Sequence, residues 1–170
     1  MTVLKRVWAI GLVLILVALL VGPATAVEPK ATTYSITLAP GAFYPTNDDL
    51  SYDNAGFELA VKNPSGSGSF MAPLFLEERD VKIRKIVLYA YDNGGGEVCL
   101  SLYRTTPADA GDDMMAQACS TGASNGIRNF SGSATIRSLT GRYGVYLYLY
   151  LPGLYTSGYG FYGAKVFYSY

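Results

Sequence analysis

The chain of 170 residues contains no histidine. That absence removes Ser-His-Asp and Cys-His hydrolysis, and with them every zinc, copper or haem site that uses an imidazole. Charge is scarce too: Asp, Glu, Lys and Arg make up 15% of the residues, and 13 basic side chains face 13 acidic ones. A balance of this kind leaves no electrostatic footprint for nucleic acid or for an anionic membrane surface. Phosphate cradles are missing as well. Gly94-Gly-Gly96 runs on into Glu97 rather than Gly-Lys-Ser/Thr, and Ser65-Gly-Ser-Gly-Ser69 opens no helix. No amphipathic helical period follows the first residues.

Those first residues read as an export signal. Lys5 and Arg6 supply positive charge, Val7 to Val21 is an uncharged apolar run, and Pro23-Ala-Thr-Ala26 offers small residues for cleavage. The run is shorter than the roughly 20 residues a membrane-spanning helix needs, so membrane contact is expected only through the signal before its removal. Cleavage after Ala26 leaves residues 27–170 as a single domain, large enough to bury a core. Without Lys5 and Arg6 the exported part keeps 11 basic against 13 acidic side chains, a net charge of −2. The expected location is secreted, in the extracellular space or at the cell surface.

Tyrosine and glycine are abundant, with 15 tyrosines and 19 glycines. The clearest pattern lies in Tyr143 to Leu151, where Val145, Leu147, Leu149 and Leu151 alternate with Tyr146, Tyr148 and Tyr150. Side chains on a strand point alternately to opposite faces, so this segment predicts an aliphatic row on one side of a sheet and a tyrosine row on the other. Nine of the 15 tyrosines fall between Tyr143 and Tyr170. A tyrosine joins an apolar ring to a polar tip, which suits packing on neighbouring strands, stacking on sugar rings or filling a protein interface. Tyr146, Tyr148 and Tyr150 are therefore the candidate binding or interface residues.

Further strands are expected at Thr32 to Leu38, Phe57 to Lys62, Phe70 to Leu76, Val81 to Tyr91, Glu97 to Arg104, Met114 to Ser120, Ser133 to Leu139 and Phe161 to Tyr170. Pro73 places the third of these at an edge or a bulge, and Val81 to Tyr91, apolar on both faces beyond Ile86, reads as central. Asn63 to Ser69 reads as a hairpin loop, and Asp92-Asn-Gly-Gly-Gly96 as a tight turn that uses positive φ angles. Residues 39–54 read as a long ordered loop pinned by Phe43, Tyr44 and Leu50. Eight or nine short strands separated by turn clusters predict an all-β fold, an antiparallel β-sandwich of jelly-roll type.

Cys99 and Cys119 are the two cysteines, and an exported chain meets compartments where disulfides form. Pairing them across a hairpin also sets Leu100 opposite Ala118 and Leu102 opposite Ala116, apolar against apolar, so a structural disulfide is expected. Asp48, Asp49 and Asp53, with Asn47 and Asn54, concentrate hard oxygens in one loop, and calcium is the ion such oxygens suit. Asp109, Asp112 and Asp113 form a second cluster. Paired carboxylates could also cleave glycosides, from among Asp48, Asp49, Asp53, Glu58, Asp92 and Glu97, but no spacing supports an acid and a base, and the chain is read as non-catalytic. Tyr52-Asp-Asn-x-Gly-x-Glu58 and Tyr91-Asp-Asn-x-Gly-x-Glu97 share a pattern, read as two turns solved alike rather than a repeat.

Ala42-Phe-Tyr-Pro45, Tyr52-Asp-Asn54, Tyr91-Asp-Asn93 and Tyr162-Gly-Ala-Lys-Val-Phe-Tyr168 together resemble exported bacterial proteins of uncharacterised function that carry a jelly-roll-like domain. The resemblance spans nearly all of the mature chain and carries no catalytic residues. The expectation is an exported protein acting through binding or self-assembly. It would be either a glycan-binding module that takes a surface polysaccharide on its tyrosine face, or a subunit of a homo-oligomer or filament that donates the strand Thr32 to Leu38 to a neighbour.

Overall fold

Strands account for most of the described residues. The computed structural model describes residues 31–62, 66–76, 80–106, 111–136, 138–139 and 143–170, so the expected signal at 1–26 and Asp109 lie outside it. The described residues form twelve strands: β1 (Tyr34–Leu38), β2 (Tyr44–Pro45), β3 (Tyr52–Asn54), β4 (Leu59–Val61), β5 (Gly68–Pro73), β6 (Val81–Asp92), β7 (Cys99–Thr106), β8 (Gly111–Cys119), β9 (Ile127–Ser133), β10 (Ser138–Leu139), β11 (Gly144–Leu151) and β12 (Tyr159–Ser169). Two 3-10 turns, Pro40–Ala42 and Tyr155–Ser157, are their only helical elements.

The strands build two antiparallel sheets. In the seven-stranded sheet β6 pairs with β12; β9 and β10 share the far side of β6, β1 and β4 share the far side of β12, and β3 lies beyond β4. The five-stranded sheet runs β2-β5-β11-β7-β8. The inner face of the first contributes Ile83, Ile86, Leu88, Leu59, Phe161 and Val166; the second contributes Phe70, Leu100, Leu102, Leu147, Leu149 and Leu151. All are fully buried, and each such side chain contributes about 1.5–3 kcal/mol relative to exposure. Aromatic edges close the core, with Phe43 against Phe161 at 4.7 Å and Tyr52 against Phe70 at 5.4 Å between ring centroids. The β-sandwich is thus the expected one, with more strands than the eight or nine counted.

The extra strands come from segments without an apolar rhythm. β2 and β3 lie within the expected loop, and they order it through Phe43, which is buried, while Tyr44 points out at 63% exposure rather than pinning it. The expected strand at Ser133 to Leu139 is displaced: β9 ends at Ser133 and the two-residue β10 follows. Most of β9 is exposed or half-buried, so its residues carry no alternation to read, and its place is set by pairing with β6. Phe57 is 69% exposed, because the Asn54 side chain and the positive φ of Gly56 turn the chain before β4 begins.

Two turns differ from expectation in kind. β4 and β5 belong to different sheets, so their connection is no hairpin. In Asp92-Asn-Gly-Gly-Gly96 none of the glycines has a positive φ. Their small size is what the fold uses: a Cβ on Gly94 would lie 2.1 Å from the Tyr159 hydroxyl, and that hydroxyl accepts a hydrogen bond from the Gly96 N–H at 2.7 Å. The two echoing turns are only half alike. Asn54 Oδ1 accepts from Gly56 N–H, whereas in the second turn the preceding position, Asp92, accepts from Gly94 N–H.

The edges bear on assembly. β1 is hydrogen-bonded along its length to β12, from Tyr34 opposite Tyr168 to Leu38 opposite Ala164, so it is not a strand free for donation. β11, the uncharged alternating run, lies between β5 and β7, where its ladder is satisfied on both sides. Pro73 ends β5 beyond the reach of the two-residue β2, where its missing N–H costs no ladder bond.

Candidate functional site

The outer face of the five-stranded sheet follows from register. Tyr44 lies opposite Met71, Met71 opposite Tyr148, Tyr148 opposite Ser101, and Ser101 opposite Gln117. Pairing in this way lays one row straight across all five strands. A second row runs Ser69, Tyr150, Cys99 and Cys119, and a third runs Pro73, Tyr146, Tyr103 and Met114. The alternation that sends Leu147, Leu149 and Leu151 into the core sends all three candidate tyrosines to this face.

They are not equivalent there. Tyr146 is half-buried: its ring stacks on Tyr103 at 5.4 Å with planes 13° apart, and its hydroxyl donates to Asp112 Oδ2 at 2.8 Å. Burial first, and then the Asp112 carboxylate, pushes its pKa up to about 12, so it stays a protonated donor. Tyr148 donates to Ser69 Oγ at 2.7 Å and meets Tyr103 edge-on, leaving its ring half-open. Tyr150 is 39% exposed and Met71 38%. Tyr44, which the alternation pattern could not assign because it lies in a two-residue strand, is the most exposed tyrosine ring of the row. Ser69 is half-buried and Ser101 buried, its hydroxyl accepting from Gln117 Nε2 at 3.2 Å, so the exposed Gln117 amide is the open polar group of the row. Charge on this face lies at its margins: Asp112 accepts from Tyr146 at one end, and the exposed Glu97 carboxylate lies within 4.8 Å of the disulfide sulfurs at the other.

The disulfide lies on the same face. Cys99 and Cys119 are directly opposite and bonded, with Leu100 facing Ala118 and Leu102 facing Ala116 as the pairing argument requires. A bulge after Leu102 then inserts Met115 into the core. Closing a loop of 20 residues removes denatured-state freedom. Replacing both cysteines by serine should therefore lower unfolding free energy by about 3 kcal/mol, measured by denaturant titration, with the wild-type protein falling to the same value in reductant.

The acidic residues are placed differently from what a metal loop requires. Asp53 stands on β3 and pairs with Lys62 at 3.0 Å, and Asn47 Oδ1 accepts from the Asp49 N–H within its own turn; among the described residues Asp48, Asp49 and Asp53 form no group whose carboxylate oxygens converge. Of the second cluster, Asp112 serves Tyr146 and Asp113 serves Arg104. Among the described residues the one convergent group is Glu97, Cys99 and Cys119, and its sulfurs are spent in the disulfide. Asp92 is buried and structural, accepting from Ser120 Oγ and the Gly94 N–H. Asp53 and Glu58 do line one cleft, on the opposite sheet, with Tyr155 at its rim.

Tyr155 is held by the 3-10 turn that Gly158 ends. Gly158 has φ of 95° and ψ of 28°, its N–H donates to Tyr155 O, and its carbonyl accepts from Asn93 N–H, both at 2.8 Å. Gly158→Ala should destabilise the fold by about 1–2 kcal/mol, since a side chain is strained in this left-handed conformation. A calorimetric midpoint unchanged from wild type would contradict this geometry.

No protein-family model and no curated protein sequence matches the chain. Among solved structures the fold is similar to CsCBM6-3 from Clostridium stercorarium, solved in complex with cellobiose, with a TM-score of 0.50 and 7% identity over 76% of this chain and 90% of that one. It is likewise similar to a family 29 carbohydrate-binding module from Piromyces equi, with a TM-score of 0.50 and 9% identity over 79% and 91%. At these identities the likeness shows a shared β-sandwich fold.

Proposed function

We propose that this protein is an exported, non-catalytic β-sandwich that binds a surface polysaccharide on the outer face of its five-stranded sheet. The observation that carries the reading is the row Tyr44, Met71, Tyr148 and Gln117, with buried Ser101 beneath the Gln117 amide: apolar surfaces and a neutral hydrogen-bonding group in one line across the strands. A sugar ring offers a C–H face to an aromatic ring and hydroxyls at its rim, so it needs this mixture and needs no charge. Tyr44 and Tyr148 stand two strands apart, about 9.6 Å at the usual strand spacing, which matches a run of linked sugars rather than a single one. That related folds include carbohydrate-binding modules, one of them holding cellobiose, supports the reading.

The test is depletion of the folded protein from solution by insoluble polysaccharides of different linkage, comparing wild type with a variant lacking Tyr44, Tyr148 and Tyr150. Retention of the wild type by at least one polysaccharide, lost in the variant, supports the proposal. Equal retention of both proteins sinks it.

A further inference from the structure

The cleft beside Asp53 and Glu58 belongs to the other sheet, and the polysaccharide face makes no use of it. It encloses about 120 Å³ and is lined by Asp53, Ala55, Glu58, Ala60, Lys62 and Tyr155. Gly160 makes room for its inner wall. A Cβ there would lie 3.1 Å from Glu58 Oε1, 3.3 Å from a ring carbon of Tyr162 and 3.6 Å from one of Tyr155, so three side chains converge over one bare backbone position.

Glu58 is the unusual member. Its Oε1 is buried and has no hydrogen-bond partner among the described residues. The Tyr162 hydroxyl bonds to the same carboxylate, and burial together with that bond holds the Tyr162 proton well above the ordinary phenol range, so this donor is fixed. Asp53 has its cation in Lys62, whereas no ion pair reaches Glu58 among the described residues. The cleft is thus left one negative charge in excess and one donor short, beside the ring of Tyr155, which is 48% exposed and 6.4 Å from that of Tyr91.

A burial of this kind is costly unless charge and hydrogen bond are both answered. An anion would be repelled, and a neutral hydroxyl would answer the bond but not the charge. A positively charged donor against aromatic rings answers both. We propose that this cleft binds a primary ammonium group, which donates to Glu58 Oε1 while its neighbouring carbons rest on Tyr155. The terminal carboxylate torsion of Glu58 is soft, so a small rotation presents Oε1 to the cleft. An amino sugar and a lysine side chain both carry this chemistry.

The experiment is an NMR titration of the full chain with butylammonium chloride, 1-butanol, glucosamine, glucose and Nα-acetyl-lysine methylamide. Butylammonium should bind at least tenfold more tightly than 1-butanol, with shifts centred on residues 58–62 and 155–162. Glu58→Gln should remove that preference. Gly160→Ala, which keeps the charge but crowds the wall, should weaken butylammonium at least tenfold, and the Tyr44, Tyr148 and Tyr150 variant should bind it as wild type does. Glucosamine binding without the lysine derivative would assign an amino sugar as the source, and the reverse a protein side chain. Equal affinity for butylammonium and butanol, or an unchanged preference in a folded Glu58→Gln variant, would overturn the proposal and leave the polysaccharide reading untouched.

Discussion

Replacing Tyr44, Tyr148 and Tyr150 together by alanine is expected to weaken retention on polysaccharide by about 10- to 1,000-fold. Each ring that stacks on a ligand is worth about 0.5–1.5 kcal/mol beyond the area it covers, so three give about 1.5–4.5 kcal/mol, and each 1.4 kcal/mol is about tenfold in affinity. Stability should change much less, because Tyr44 and Tyr150 are exposed and only Tyr148 gives up an intramolecular bond, to Ser69. Tyr146→Ala is the informative contrast. Its ring is committed to Tyr103 and its hydroxyl to Asp112, so the loss there should appear in the unfolding midpoint more than in binding. Affinity electrophoresis alongside calorimetry separates the two effects, and a Tyr146 variant that binds worse than the triple variant would relocate the site.

Gly132→Val should be the most damaging single substitution for stability, costing about 4 kcal/mol or more against the 1–3 typical of overpacking. A Cβ at Gly132 would lie 1.7 Å from the backbone oxygen of Gln117, which cannot swing aside as a side chain would. β9 of one sheet here crosses β8 of the other, and just beyond the crossing Thr135 donates from both N–H and hydroxyl to Met115 O. Valine would force this seam open and expose the outer edge of β8. The expected fall in unfolding midpoint is roughly 15 °C, and a midpoint within a few degrees of wild type would show that β8 and β9 do not meet.

The self-assembly route by strand donation loses its basis for the same topological reason. β1 looked free because its partner, β12, begins 121 residues after β1 ends. Nothing within Tyr34–Leu38 records that pairing. The acidic loop meets the same limit: closeness in sequence does not set where its oxygens point, and Asp53 faces Lys62 while Asn47 accepts within its own turn.

Sequence alone determined the fold class, the two faces of β11 and the register of the cysteine hairpin. These depend on the period of two, a local property of an extended backbone, and on whether apolar residues meet when two adjacent segments are folded back on each other. Tertiary structure alone decided that Tyr44 and Tyr103 join the tyrosines of β11, that the glycines at 94 and 96 serve Tyr159, and that Glu58 Oε1 is buried beside Gly160 with no ion pair among the described residues. Each of these is a contact between residues far apart in the chain. Side-chain pattern specifies which way a residue points, but only the pairing of distant strands specifies what it points at.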